Sequence, residues 1–387
     1  SGGDTSDYPE NALETVFYPT NKIRLPVNKE NVIKSGLVKE KDSDLILDYI
    51  DIDLPETIIT KNQIIMLDIL ANNNWERPIY FTGGSYEESE YIWMKDYLQL
   101  DGLVYKLVPI KTSIENNPYE MGRIDSDLMY DIVKKWSWGN SESDEIYHDP
   151  ETRKNSISFR GNLSRLSEKL ISEGEYEKAE EILDLAFSKM PIDYYGYYSL
   201  WTPLVKSYYD IGKSEKVKEI VQKLSFKYSD RLSYFSSLEI FNQYDVGEEI
   251  ISDIERFRNL IETIQESGER EILADQIKSF ISSSEQFNYI YGEYDYYISL
   301  SNFLVSLLEL NEVEYSMSVI DKIEEQLIRR VSVFSNIDED EQVYYLEGIT
   351  SDINQYSRLI NQIEVYDIDA YNKYDKNLKD MLARMIE

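Results

Sequence analysis

The sequence predicts a mixed fold: a small α+β unit over residues 1–148, then an all-α, tetratricopeptide-like solenoid over 149–387. Three observations carry this expectation. Short runs rich in β-forming residues crowd the first part of the chain. Of the ten prolines, only Pro191 and Pro203 fall beyond Pro150. Finally, Gly174 and Gly212 are turn glycines 38 residues apart, each flanked by apolar residues at helical spacing. The tetratricopeptide repeat is ~34 residues long.

Taken in order, Lys22–Val27 and Tyr49–Leu54 read as strands, the second with apolar and acidic residues alternating. Arg77–Thr82 and Leu103–Val108 add two more. Between them Asn62–Ala71 has helical spacing, with Ile65, Leu67, Asp68 and Ile69 ahead of an Asn72-Asn73-Asn74 stop. Pro55, Pro78 and Pro109 fall at strand ends or edges, where a missing N–H is tolerated. The first helical hairpin puts Leu163, Leu166 and Leu170 on one face, with Ser167 small for a close helix contact. Gly174 turns the chain, Ala179, Leu183 and Ala186 follow, and Pro191 closes the unit. A second hairpin runs through Trp201, Leu204, Val205 and Tyr208 to Gly212, then Val217, Val221 and Leu224. The excess over the ideal repeat is expected in the Tyr-rich link Asp193–Tyr198. A weaker third match runs from Leu300, Phe303, Leu304 and Leu307 through Asn311 to Ser316, Ile320 and Ile323. Degenerate hairpins are expected from Arg231 to Asn288, and Asp340–Ile363 and Asp369–Ile386 read as closing helices.

Composition excludes several functions. The chain has 387 residues, with 73 Asp+Glu against 40 Lys+Arg and a net charge of −33. A field of that sign repels nucleic acid and anionic lipid. With 42% hydrophobic residues the chain is nonetheless able to bury a core. Cysteine is absent, which removes thiolate nucleophiles, disulfides and cysteine-ligated metals, and a single histidine, His148, rules out paired-imidazole sites. No stretch approaches ~18 uninterrupted apolar residues, so no insertion of this region into a membrane is expected. The Ser1-Gly2-Gly3-Asp4 terminus lacks signal-peptide character and an initiator Met, which reads as an excised fragment or a tag scar.

Individual motifs have bland readings beside sharper ones. Asp51 and Asp53 share a strand face; a solvated face is preferred to a cation site because no third ligand is suitably spaced. Asp338-Glu339-Asp340-Glu341 lacks the calcium-loop pattern and reads as an acidic helix start. His148 lies in a turn-like link with no nucleophile beside it. Gly83-Gly84-Ser85 is a turn rather than a phosphate loop. Most of the 33 tyrosines read as packing residues, although tyrosine also suits peptide grooves and sugar stacking. No catalytic residue, metal ligand or cofactor motif is assigned. The helix positions that face the concave groove of such a solenoid are the better binding candidates: Ser164, Glu168 and Ser172, then Ser199, Thr202, Lys206 and Tyr209.

The run from Asn62 through Asn72-Asn73-Asn74-Trp75-Glu76-Arg77-Pro78-Ile79-Tyr80-Phe81 resembles the soluble part of a bacterial family of polytopic membrane proteins. That family is grouped with multi-pass, GT-C-type protein O-mannosyltransferases. Leu25–Glu30, Leu100–Pro109, Asp127–Asp131 leading to Trp138-Gly139-Asn140, and Phe159-Arg160 with Asn162 support the likeness. It covers roughly Asn21–Asp230. The resemblance implies that the lipid-linked sugar donor and the catalytic acid belong to a membrane-embedded amino-terminal part outside this sequence. This chain would then be the extracytoplasmic, periplasmic carboxy-terminal region, tethered to the inner membrane and unable to transfer sugar alone. Its work would be to hold an acceptor polypeptide or support the membrane portion. Within the block, Trp75, Arg77 and Tyr80 either pack the core, the preferred reading, or contact a partner. A stand-alone repeat scaffold for a partner protein is the alternative. A soluble glycan-active enzyme would need convergent carboxylates that no motif demands.

Overall fold

The computed structural model describes residues 20–54, 59–82, 92–112 and 121–386. By contact, the chain divides into two units, Ser1–Gly139 with Gly161–Ile182, and Asn140–Arg160 with Leu183–Glu387.

Among the described residues, the first unit contains two antiparallel sheets. β1 (Lys22–Pro26) pairs with β2 (Tyr49–Asp53), with Leu25 opposite Ile50 and Arg24 opposite Asp51. Alternation along β2 buries Ile50 and Ile52, each worth about 1.5–3 kcal/mol, and turns Tyr49, Asp51 and Asp53 outward. Those outward acids meet cations across the ladder: Arg24 forks onto Asp51 at 2.8 and 3.0 Å, and Lys22 lies 3.1 Å from Asp53. The two carboxylates are thus matched by charge on the neighbouring strand. Between the strands, α1 (Lys29–Lys34) is capped by Asn28, whose side chain accepts from the Asn31 amide.

α2 (Lys61–Asn73) starts at a capping box, where the Thr60 amide donates to Gln63 Oε1 at 2.8 Å. It stops as its asparagines suggest, with Asn74 and then Trp75 in the left-handed region at φ 47° and 59°. Helical spacing identified the element but not its buried face. Gln63 and Leu70 are buried, whereas Ile64, Ile65 and Ile69 are exposed. β3 (Tyr80–Thr82), β4 (Leu98–Asp101) and β5 (Val104–Leu107) form the second sheet in the order β3-β5-β4. The third strand of the predicted set therefore begins at Tyr80 rather than Arg77. β4 has no counterpart among the expected strands; it forms a hairpin with β5 around Gly102 at φ 71°. A side chain at Gly102 would come within 3.1 Å of Ile132 and Trp136. α3 (Ser126–Val133), capped by Asp125, completes this part.

The remainder is helical. α4 (Pro150–Ser172) begins well before the expected first hairpin, because Asp149 caps the Thr152 amide at 2.9 Å and Pro150 takes the first helical position. It is followed by α5 (Tyr176–Lys189), α6 (Ile192–Tyr195), α7 (Thr202–Asp210), α8 (Ser214–Ser236) and α9 (Ile240–Asp245). Then come α10 (Gly247–Glu266), α11 (Leu273–Ser284), α12 (Asn288–Tyr291) and α13 (Glu293–Ile298). α14 (Ser301–Glu309), α15 (Val313–Ser335), α16 (Glu339–Ile363) and α17 (Ile368–Ile386) close the chain. The fold is therefore the mixed one expected, an α+β unit followed by a solenoid-like series of helical hairpins. Three turns close by the same hydrogen bond, five residues back: Glu175 to Leu170, Lys213 to Tyr208 and Glu312 to Leu307. Each surrounds a left-handed residue, Gly174, Gly212 or Asn311. Gly268, also left-handed, makes the turn between α10 and α11 inside the segment expected to hold degenerate hairpins.

Within the second unit, rings from several elements touch in chain order. Tyr198 meets Tyr228 at 5.9 Å, Tyr228 meets Phe257 at 5.4 Å, Phe257 meets Phe280 at 5.4 Å, and Phe280 meets Phe303 at 5.6 Å. Tyrosine largely serves packing here, with Tyr208, Tyr228, Tyr296, Tyr356 and Tyr374 all buried.

Candidate functional site

In the first unit, Trp75 is closed to solvent. Its indole N–H donates to the Pro26 carbonyl at 2.8 Å, and Ser35 Oγ donates to the Trp75 carbonyl at 3.2 Å. Arg77 has an exposed side chain over a fixed backbone, since Asn73 bonds both its carbonyl and its amide at 2.7 and 3.3 Å. Tyr80 is half exposed and stands opposite Lys106 in the β3–β5 register. Burial and then the Asp101 charge raise its phenol pKa. On the same sheet face, Lys106 and Asp101 form a buried ion pair at 2.9 Å, with Gln99 Nε2 donating to Asp101 at 2.8 Å. On α4, Ser164 is buried and donates to the exposed Glu168 at 2.9 Å. Ser172 is exposed and donates to the Lys169 carbonyl at 2.7 Å.

In the second unit, the expected groove positions are mostly drawn inward. Thr202 is buried, Ser199 is half-buried, and burial of the Tyr209 phenol raises its pKa, aided by Glu269. Lys206 is exposed and pairs along its own helix with Asp210 at 2.7 Å. His148 lies in the link just before α4, with Nε2 3.2 Å from the Ser143 carbonyl and its ring against Tyr194 and Tyr195. Gly83-Gly84-Ser85 lies outside the described residues. Arg160 escaped any assigned role. It is fully buried, donates to the Gly196 carbonyl and Ser156 Oγ at 2.8 Å each, and lies over Trp201. Burial pushes its pKa down to about 10, which keeps the guanidinium charged at neutrality. It pins the Tyr-rich link by its carbonyls.

One opening in this unit was not among the expected sites. A cavity of about 600 Å³ lies among α13, α15 and α16. Val333, Phe334, Ile337, Tyr344, Tyr345 and Ile349 give it apolar walls. At its edge Arg330 Nε lies 2.8 Å from Asp352 Oδ2, and the guanidinium lies over the Tyr294 ring at 5.1 Å. The Tyr294 hydroxyl donates to the Asp352 carbonyl at 2.7 Å. Asp352 is 6% exposed, and burial raises its pKa even with Arg330 beside it. Arg329 is held by Glu325 at 2.6 Å. An open apolar hollow with a few fixed polar groups is the form that ligand sites take. One sequence signal for it exists: Val343-Tyr344-Tyr345-Leu346 is a continuous apolar run in an acidic helix, and a 3.6-residue period cannot bury four consecutive residues on one face.

The chain thus combines a two-sheet α+β unit with helical hairpins that carry an aromatic-walled hollow. Residues 4–128 match the family described as TMEM260-associated domain 2, a link to an O-mannosyltransferase-like membrane protein. The match ends at Leu128, ahead of the hairpins. No curated protein and no solved structure matches the chain. No helix among the described residues is long and apolar enough to cross a membrane.

Proposed function

We propose that this chain is the non-catalytic, extracytoplasmic carboxy-terminal region of a membrane protein O-mannosyltransferase-like glycosyltransferase, and that it holds the acceptor polypeptide for the membrane-embedded part. The match of residues 4–128 to a TMEM260-associated domain carries this reading. The hairpin architecture agrees with it, because stacked helices offer extended surfaces for polypeptides. So does a net charge of −33, which keeps such a region off anionic lipid on the periplasmic side. Two measurements test it. An antibody to this chain should detect, in its native cells, a membrane-bound polypeptide larger than 45.5 kDa that a carbonate wash does not release. The chain alone should transfer no mannose from a polyprenyl-phosphate donor. A freely soluble 45.5 kDa species, or transfer by the chain alone, overturns the proposal.

A stand-alone, tetratricopeptide-type scaffold is the second reading. It is favoured by one observation: the hairpins that carry the hollow lie outside the matched residues.

A further inference from the structure

We infer that the hollow between α15 and α16 is a docking cleft for a basic amphipathic polypeptide segment, whose apolar residues enter the cleft while its Lys and Arg side chains meet the surrounding carboxylates. This rests on the polypeptide-holding reading above and names the place and chemistry of the contact.

The argument starts with the helix itself. From Asp340 to Gly348 every residue of α16 is exposed except Gln342, which is half-covered and donates to the Phe334 and Ile337 carbonyls at 3.2 Å each. The first well-buried side chain is Ile349. Two and a half turns, about 13 Å of helix, therefore present mostly open side chains. Tyr344 is 83% exposed and Tyr345 61%, with Val343, Leu346 and, from α15, Val333 also open. Exposed apolar side chains gathered beside a hollow mark an interaction surface, whereas scattered ones do not.

Charge selects the occupant. From Val331 to Ser357 the sequence contains no Lys or Arg. Asp338, Asp340, Glu341 and Glu347 make no ion pair with any described residue. The two arginines at the cleft, Arg329 and Arg330, are already held by Glu325 and Asp352. What remains is an apolar and aromatic cleft with an unbalanced negative rim, complementary to an apolar segment bearing cations. A second copy of this chain is the poorer occupant, since it would bring the same carboxylates against an acidic surface.

Gly348 supplies a clean probe. It lines the cleft, and a side chain built there would meet nothing within 4 Å. Gly348→Phe therefore fills the cleft from a helical position that loses a glycine, without disturbing the core. The experiment uses a fluorescent 16-residue Leu/Phe/Lys helix-forming peptide and its Glu-for-Lys counterpart, titrated with the whole chain. The Lys peptide should bind saturably, weaken as salt rises, and bind at least tenfold more tightly than the Glu peptide. Tyr344→Ala/Tyr345→Ala and Gly348→Phe should each weaken it tenfold or more, while Tyr147→Ala leaves it unchanged. Saturable binding that is indifferent to both cleft variants overturns the cleft and spares polypeptide holding. Binding of neither peptide overturns both. Self-association that the cleft variants abolish assigns the cleft to a second copy and overturns the inference.

Discussion

The amino-terminal sheets and the head of α16 treat charge in opposite ways. In the sheets opposite charges meet residue by residue: Lys22 with Asp53, Arg24 with Asp51, Lys106 with Asp101. At the head of α16 the acids are left unmatched beside open apolar side chains. A chain with 73 acids and 40 bases must leave many carboxylates without partners. Scattered over a surface they only maintain solubility, but collected beside Tyr344 and Tyr345 they define what can approach. The matched charges belong to the fold, and the unmatched ones are available for recognition.

The sharpest way to break this contrast is at the buried pair. Lys106→Met should cost about 3–5 kcal/mol by stranding the buried Asp101 carboxylate, read as faster hydrogen exchange in β4 and β5. Adding Asp101→Leu should recover most of that loss. Full stability in the single variant would mean that the pair is not part of what holds the sheet.

Next in size is the turn geometry of the helical region. Gly212→Ala should cost about 1–2 kcal/mol in urea unfolding, all of it from the backbone at φ 71°, because a methyl group there meets no neighbour. Asn311→Gly, at φ 65°, should instead gain about 0.5 kcal/mol. Equal effects at both positions would refute the shared turn.

Acid should separate the two regions by sign. Hydrogen bonds from Lys41 and Lys178 lower the Asp127 pKa below its ordinary 3.8, so its contribution is complete above 3.8 and is lost as pH falls through the folded value. Asp352 is raised above 3.8 by burial, so protonation relieves a cost, and its region gains stability as pH falls from the folded value toward 3.8. Melting curves against Asp127→Asn and Asp352→Asn should show the wild type losing ground to the first and gaining on the second. The smallest effect is expected at Tyr344→Ala, which without a ligand should stay within about 0.5 kcal/mol of wild type.

The sequence revealed much of the fold because its signals are local. Alternation in Tyr49–Asp53, the Asn72–Asn74 stop and the turns at Gly174, Gly212 and Asn311 need only neighbouring residues. β4 was missed because its apolar-polar alternation, Leu98-Gln99-Leu100-Asp101, is only four residues long, and its polar positions are buried through the Lys106–Asp101 pair and the Gln99–Asp101 bond, which no local pattern announces. The buried face of α2 was illegible because its isoleucines face out and a glutamine faces in. The groove positions were read from an idealised repeat, yet Thr202 and Tyr209 turn inward in turns spaced 38, 56 and 43 residues apart. The cleft depends on Glu293 and Tyr294 reaching residues some fifty positions later, and no local pattern encodes that.

The file of rings from Tyr198 to Phe303 has a mechanical consequence. Each ring packs on the next, inside the α10–α11 hairpin at Phe257–Phe280 and between separate elements elsewhere, so none can be pulled away without uncovering its neighbour. Under a stretching force this region should yield as one block, with a single long extension rather than a staircase. Such a segment would serve as a stiff spacer, transmitting a tug at one end to the other.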